Sequence, residues 1–189
     1  MAFSNDPRQV GAGMNRPDRN KTRPGTTRRV RLKDFDYSTP GYYFITICTN
    51  DRQNLFGEID QEQIHLSAAG EMVQDTILEC SNRFRSVSTD CWVVMPNHVH
   101  ILLGLAVRLD DDPGIENVKD VVQWFKSSVH QRFRSGVRNQ GWPPYREKIW
   151  QTGYHDHIVR NDRELETLRM YVSNNVESWK KDRFYDHIL

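Results

Sequence analysis

An α+β domain is what this sequence predicts, and three observations carry that reading. Residues 42–49, Tyr-Tyr-Phe-Ile-Thr-Ile-Cys-Thr, are dense in aromatic and β-branched side chains, the composition of a strand. Two apolar runs, residues 92–95 and 98–105, meet at Pro96-Asn97, a turn dipeptide because proline fixes φ and cannot donate to a sheet ladder. Three other stretches repeat apolar residues at helical spacing.

Taken in order, the strand over 42–49 follows a Pro40-Gly41 turn. The next stretch, 50–66, holds a polar loop and a small hairpin through Leu55-Phe56-Gly57. Ser67 can cap a helix whose stripe is Ala69, Met72, Val73, Thr76, Ile77, Cys80 and Phe84, ending near Arg85. The paired strands around Pro96-Asn97 come next. An acidic turn at 110–114 precedes a second helix with Val118, Val121, Val122, Phe125, Val129 and Phe133 on one face and Lys119, Lys126, Arg132 and Arg134 on others. A polar loop over 135–144 leaves Trp142 and Tyr145 exposed, and a last strand runs from Ile149 to Val159. Asn161 caps a final helix, with Glu164 in the capping-box position and Leu165, Leu168, Val172, Val176 and Trp179 as its buried stripe. Strand, helix, strand, strand, helix, strand, helix is the ferredoxin-like split βαβ order with an added C-terminal helix.

Charge divides the chain. Residues 1–36 carry nine basic side chains against four acids, +5, which leaves −4 on the remainder of a chain whose total is +1. That composition predicts a basic, disordered arm over 1–36 and one folded domain over 37–189, with a polyanion as partner. Cys48, Cys80 and Cys91 are odd in number and lack ligand spacing, as expected of reduced, buried thiols. No apolar run reaches the roughly 18 residues of a membrane span, so a soluble, cytoplasmic protein without membrane contact is expected.

Chemistry concentrates at His98 and His100. Side chains alternate along a strand, so both imidazoles project from one face while Val99 and Ile101 take the other. One such histidine is commonly a satisfied core residue, but two must be satisfied together, and a shared metal ion does so. Tyr171 and Asn175 are four residues apart on the final helix, hence on one face. If that helix crosses the face bearing the histidines, a His, His, Asn set suits Mg²⁺ or Mn²⁺ with open positions better than a closed zinc site.

With these residues the chain resembles the single-tyrosine HUH transposases, specifically the REP-associated tyrosine transposases, over about residues 38–180. The resemblance rests on Tyr42-Tyr43-Phe44-Ile45-Thr46, on residues 92–100 (Trp-Val-Val-Met-Pro-Asn-His-Val-His), on Trp150-Gln151 through Arg160, and on Tyr171 followed by Asn175. Many relatives have proline after the asparagine, where this chain has Val176. The resemblance implies His98, His100 and Asn175 as metal ligands, Tyr171 as nucleophile and His157 as active-site support. It implies cleavage and rejoining of single-stranded DNA beside a hairpin through a 5′-phosphotyrosine, with Mg²⁺ or Mn²⁺ and no nucleotide cofactor. A nucleoid-associated monomer is expected in preference to a helix-exchanged homodimer. Arg28, Arg29, Arg31, Lys119, Lys126 and Arg132 are candidate phosphate contacts, and Trp142 and Tyr145 candidate base-stacking residues. A catalytically silent hairpin-binding protein of the same fold is the alternative.

Overall fold

A computed structural model describes residues 35–107 and 116–179. Among these residues six strands and three α-helices follow in chain order: β1 (Gly41–Cys48), β2 (Gly57–Asp60), β3 (Gln63–Leu66), α1 (Ala68–Arg83), β4 (Val87–Met95), β5 (His98–Leu105), α2 (Val118–Asn139), β6 (His155–Ile158) and α3 (Asp162–Ser173). The main sheet has the order β4-β5-β1-β6 with every pair antiparallel. That is the predicted ferredoxin-like arrangement, with β2 and β3 added as a separate hairpin.

Alternation along the central strands divides the two layers. Ile45, Ile47, Val99, Ile101 and Leu103 turn to one face, where they join Val73 and Ile77 of α1 and Val122, Phe125 and Val129 of α2 in the core. Thr46, His98, His100 and Leu102 turn to the other, which α3 covers. Local signals set the helix starts: Ser67 Oγ accepts from Gly70 N, Asn117 Oδ1 from Asp120 N and Asn161 Oδ1 from Glu164 N. Phe35 packs edge-on against Tyr37 at 5.4 Å, so the fold already includes it.

Three expected boundaries move. β4 begins at Val87, five residues before Trp92, because a β-bulge between Thr89 and Cys91 leaves Asp90 without a ladder partner. Asp90 and Cys91 then lie together on the α3 side, and the alternation restarts with Trp92 and Val94 inward. The last strand is broken. Trp150 pairs with Thr49 and His155 with Thr46, so five residues advance on one side for three on the other, with Gly153 at φ 77° in the excursion. The hairpin is Gly57–Asp60 with Gln63–Leu66, turning at Gln61 and Glu62, both at positive φ.

The hairpin and α1 meet closely at Gly70, where an added Cβ would lie 2.0 Å from the Phe56 carbonyl oxygen. No rotamer change relieves a clash with backbone. Gly70→Ala is expected to lower stability by about 2 kcal/mol even after the ~1 kcal/mol that alanine gains in a helix, read as a fall in Tm.

The three cysteines are free thiols, Cys48 and Cys80 buried and Cys91 half-buried. Burial pushes the Cys80 thiol up to about 12 and, with help from Asp90, Cys91 to about 11. No helix among the described residues is long and apolar enough to cross a membrane.

Candidate active site

β5 is fully buried along its length, and it carries His98 and His100 at 0% and 1% exposure. Each imidazole is held by its Nδ1. His98 Nδ1 donates to Asn97 Oδ1 at 2.9 Å. Asn97 Nδ2 in turn donates to the Arg52 carbonyl at 3.4 Å, which fixes the amide so that its oxygen faces the ring. With its proton on Nδ1, His98 presents a lone pair at Nε2. His100 Nδ1 bonds Thr46 Oγ1, its cross-strand neighbour on β1, at 2.8 Å. Phe44 stacks on His100 at 5.1 Å and 20°, and Trp179 stacks on His98 at 5.9 Å and 23°.

These restraints aim both Nε2 atoms at one point, 3.1 Å apart. Two basic nitrogens so placed share either a proton or a cation. Nitrogens bound at about 2.1 Å in neighbouring positions of one ion lie roughly 3 Å apart, so the pair fits a metal without rearrangement. Among the described residues no three His, Cys, Asp or Glu side chains cluster at a metal-binding distance. A third protein ligand would therefore be an amide or hydroxyl oxygen.

α3 crosses this face and brings Tyr171, 40% exposed, to the pair. Its Oη lies 3.4 Å from His100 Nε2, and its ring meets those of His100 and Phe44 edge-on at 5.3 and 5.9 Å. α3 ends at Ser173, so Asn175 occupies a turn beyond it, not the helix face expected, and its N–H bonds Val172 O at 3.3 Å. Asn175 is 1% exposed. It sits on the segment between Tyr171, against His100, and Trp179, against His98. Val176 is half-buried while Trp179 is buried.

His157 lies opposite Phe44 on β6 and engages α3, its Nε2 2.7 Å from Glu164 Oε1. Glu164 also accepts from Arg160 N, and these two contacts, the backbone one first, hold its carboxyl below the usual range. The glutamate therefore does not close a capping box on Asn161.

Among the described residues the remaining candidates belong to the α2 layer, on the opposite side of the sheet. Lys126 Nζ donates to the carbonyls of Gln151 and Gly153 at 2.9 and 2.8 Å. Arg132 forms a two-pronged bond to Glu79 at 2.8 and 2.6 Å, and Lys119 Nζ sits 4.6 Å above the Tyr37 ring. Trp142 and Tyr145 are half-buried, not exposed: a Cβ at Gly136 would lie 2.2 Å from the Trp142 indole, so the glycine makes its seat, and Tyr145 bonds His130 at 3.2 Å. Arg28, Arg29 and Arg31 lie outside the described residues. Thr46, Asn97, Phe44 and Trp179 escaped the sequence reading as site residues, because strand register brings Thr46 and Phe44 to the histidines, and the β4–β5 turn and the segment after α3 bring Asn97 and Trp179.

The chain matches the family model for IS200-like transposases over residues 38–175. An uncharacterized protein of Haemophilus influenzae is 29% identical over 168 residues, 84% of this chain and 92% of that protein. A second Haemophilus influenzae protein, provisionally named a REP-associated tyrosine transposase, is 24% identical over 149 residues, 74% of this chain and 72% of its own. A solved structure of a REP-associated tyrosine transposase bound to a REP hairpin shares the fold, with TM-score 0.51, 20% identity, and 75% and 69% of the two chains covered.

Proposed function

Because this chain belongs to the IS200-like transposase family, we propose that it cleaves and rejoins single-stranded DNA beside a hairpin, with Tyr171 as nucleophile. One observation carries the reading: Tyr171 Oη lies 3.4 Å from His100 Nε2, which itself faces His98 Nε2 at 3.1 Å. A nucleophile and a paired lone-pair donor set converge on one point, and Tyr171 is 40% exposed.

His98, His100 and the amide oxygen of Asn175 would hold Mg²⁺ or Mn²⁺, which when bound supplies Lewis-acid polarisation of the scissile phosphate. The chain's own part is positional. Asn97 and Thr46 keep both imidazoles aimed, Phe44 packs edge-on against the Tyr171 ring, and Tyr171 Oη would attack phosphorus in line. The Oη–P bond forms as the P–O3′ bond breaks. The phenolic proton passes to water, the 3′ oxygen takes one from water, and the products are a 5′-phosphotyrosine and a free 3′-hydroxyl. Attack of a 3′-hydroxyl on that linkage reseals a strand and restores Tyr171, so no nucleotide cofactor is required. A structural neighbour solved bound to a REP hairpin supports a hairpin as substrate. Docking of α3 on the sheet of its own chain supports a site supplied by one protomer.

The test is a denaturing gel of labelled single-stranded hairpin oligonucleotides from the flanks of the gene, incubated with Mn²⁺ or Mg²⁺ and with EDTA. A metal-dependent covalent adduct is the expected result; tight binding without an adduct in any metal would leave a hairpin-binding protein. Asn97→Ala should weaken Mn²⁺ binding and slow adduct formation on the order of 10- to 100-fold, since it removes the acceptor that orients His98. Titration calorimetry with Mn²⁺ checks the first effect and gel kinetics the second.

A further inference from the structure

α3 is pinned to the sheet by an ion pair that the chemistry above does not use. Arg169 Nε donates to Asp90 Oδ1 at 2.8 Å and its Nη2 to Asp90 Oδ2 at 2.5 Å, while Nη1 reaches Glu166 Oε1 at 2.5 Å. A two-pronged guanidinium bond fixes orientation as well as distance. Asp90 is the residue the β4 bulge leaves out of the ladder, on the α3 side of the sheet.

The place of the pair on the helix matters. At about 100° per residue, Leu165, Leu168 and Val172 form the stripe that faces the sheet, and Arg169 and Tyr171 flank it on opposite sides. A rolling of α3 about its axis lifts one as it lowers the other. The apolar stripe is narrow, with Leu165 and Val172 buried but Leu168 between them only half-buried, so it resists a small roll weakly. At the helix start, Glu164 with His157 and Arg160 N holds the end of the axis but lies almost two turns from Tyr171.

We propose that Arg169 and Asp90 are positioning residues that set the roll of α3, and with it the alignment of the Tyr171 phenol against the His98/His100 pair. This rests on the strand-cleavage reading for its kinetic consequence, though not for its structural one. Breaking the pair leaves the His98/His100 pair and its Asn97 and Thr46 restraints in place and lets the phenol move off line, an ångström-scale displacement of the kind that slows reaction on the order of 10²-fold.

The experiment compares full-length wild type, Arg169→Gln, Asp90→Asn and the charge-swapped Asp90→Arg/Arg169→Asp. Single-turnover adduct formation at saturating protein, with Mn²⁺ and a labelled hairpin oligonucleotide, is measured beside hairpin affinity. Each single variant should slow adduct formation on the order of 10²-fold at an affinity within about twofold of wild type, and the swap should recover most of the rate. Wild-type rates in both single variants, or rate and affinity falling together, would overturn the proposal. A wild type that forms no adduct would instead overturn strand cleavage. The pin is then read from the fluorine resonance of 3-fluorotyrosine placed at position 171: it should shift in Arg169→Gln and return in the swap, and an unmoved resonance refutes it.

Discussion

Tyr171→Phe should remove the covalent DNA adduct altogether and lower strand cleavage by at least about 10³-fold, because no other group would take the place of the proposed nucleophile. The variant should otherwise resemble wild type. Phenylalanine keeps the edge-on contacts to Phe44 and His100 and forfeits the Oη contact to His100 at 3.4 Å. For a side chain 40% exposed, that loss should change stability by under about 1 kcal/mol. Hairpin affinity should stay within about twofold of wild type, since the substitution removes no charge. A gel of labelled hairpin DNA beside a thermal melt separates the two effects. An adduct that survives in the variant would mean another side chain is the nucleophile.

His98→Ala and His100→Ala should each abolish Mn²⁺ binding at micromolar concentrations and slow adduct formation on the order of 10²- to 10⁴-fold. The sharper expectation concerns the double variant. If the two Nε2 atoms, 3.1 Å apart, act as the proposed ligand pair, losing both should be no worse for the rate than losing either. Independent roles for the two rings would give multiplied losses instead. His100→Ala should also melt at lower temperature than His98→Ala, because it strips contacts from Thr46, Phe44 and Tyr171 together.

What could be read from the chain was whatever depends on neighbours within one turn or one strand. The polar caps Ser67 and Asn161, the α2 stripe from Val118 to Phe133 and the two histidines on one strand face are short-range patterns. Features set by a distant partner were hidden. The hairpin turns at Gln61-Glu62 without the glycine or asparagine that advertises positive φ. The bulge at Asp90 inverts the alternation of β4, so that residues 87–91 do not continue the pattern of residues 92–95. Lys126 and Arg132 look like wet-face charges until the Gln151 and Gly153 carbonyls and the Glu79 carboxylate come alongside. Asn175 was placed one helical turn after Tyr171 by spacing alone, but the helix stops at Ser173 and the buried position is reached through a turn.

β5 is flanked by a strand on each side and covered on both faces, whereas α3 is tied down partly by half-exposed charge pairs. The site thus joins the region last to open with one among the first. Amide hydrogens of residues 99–103 should exchange only through global unfolding, while those of α3 exchange through local release. The histidine pair would then remain assembled while the phenol departs, and a strand end carried on Tyr171 could swing away from the sheet without the fold coming apart.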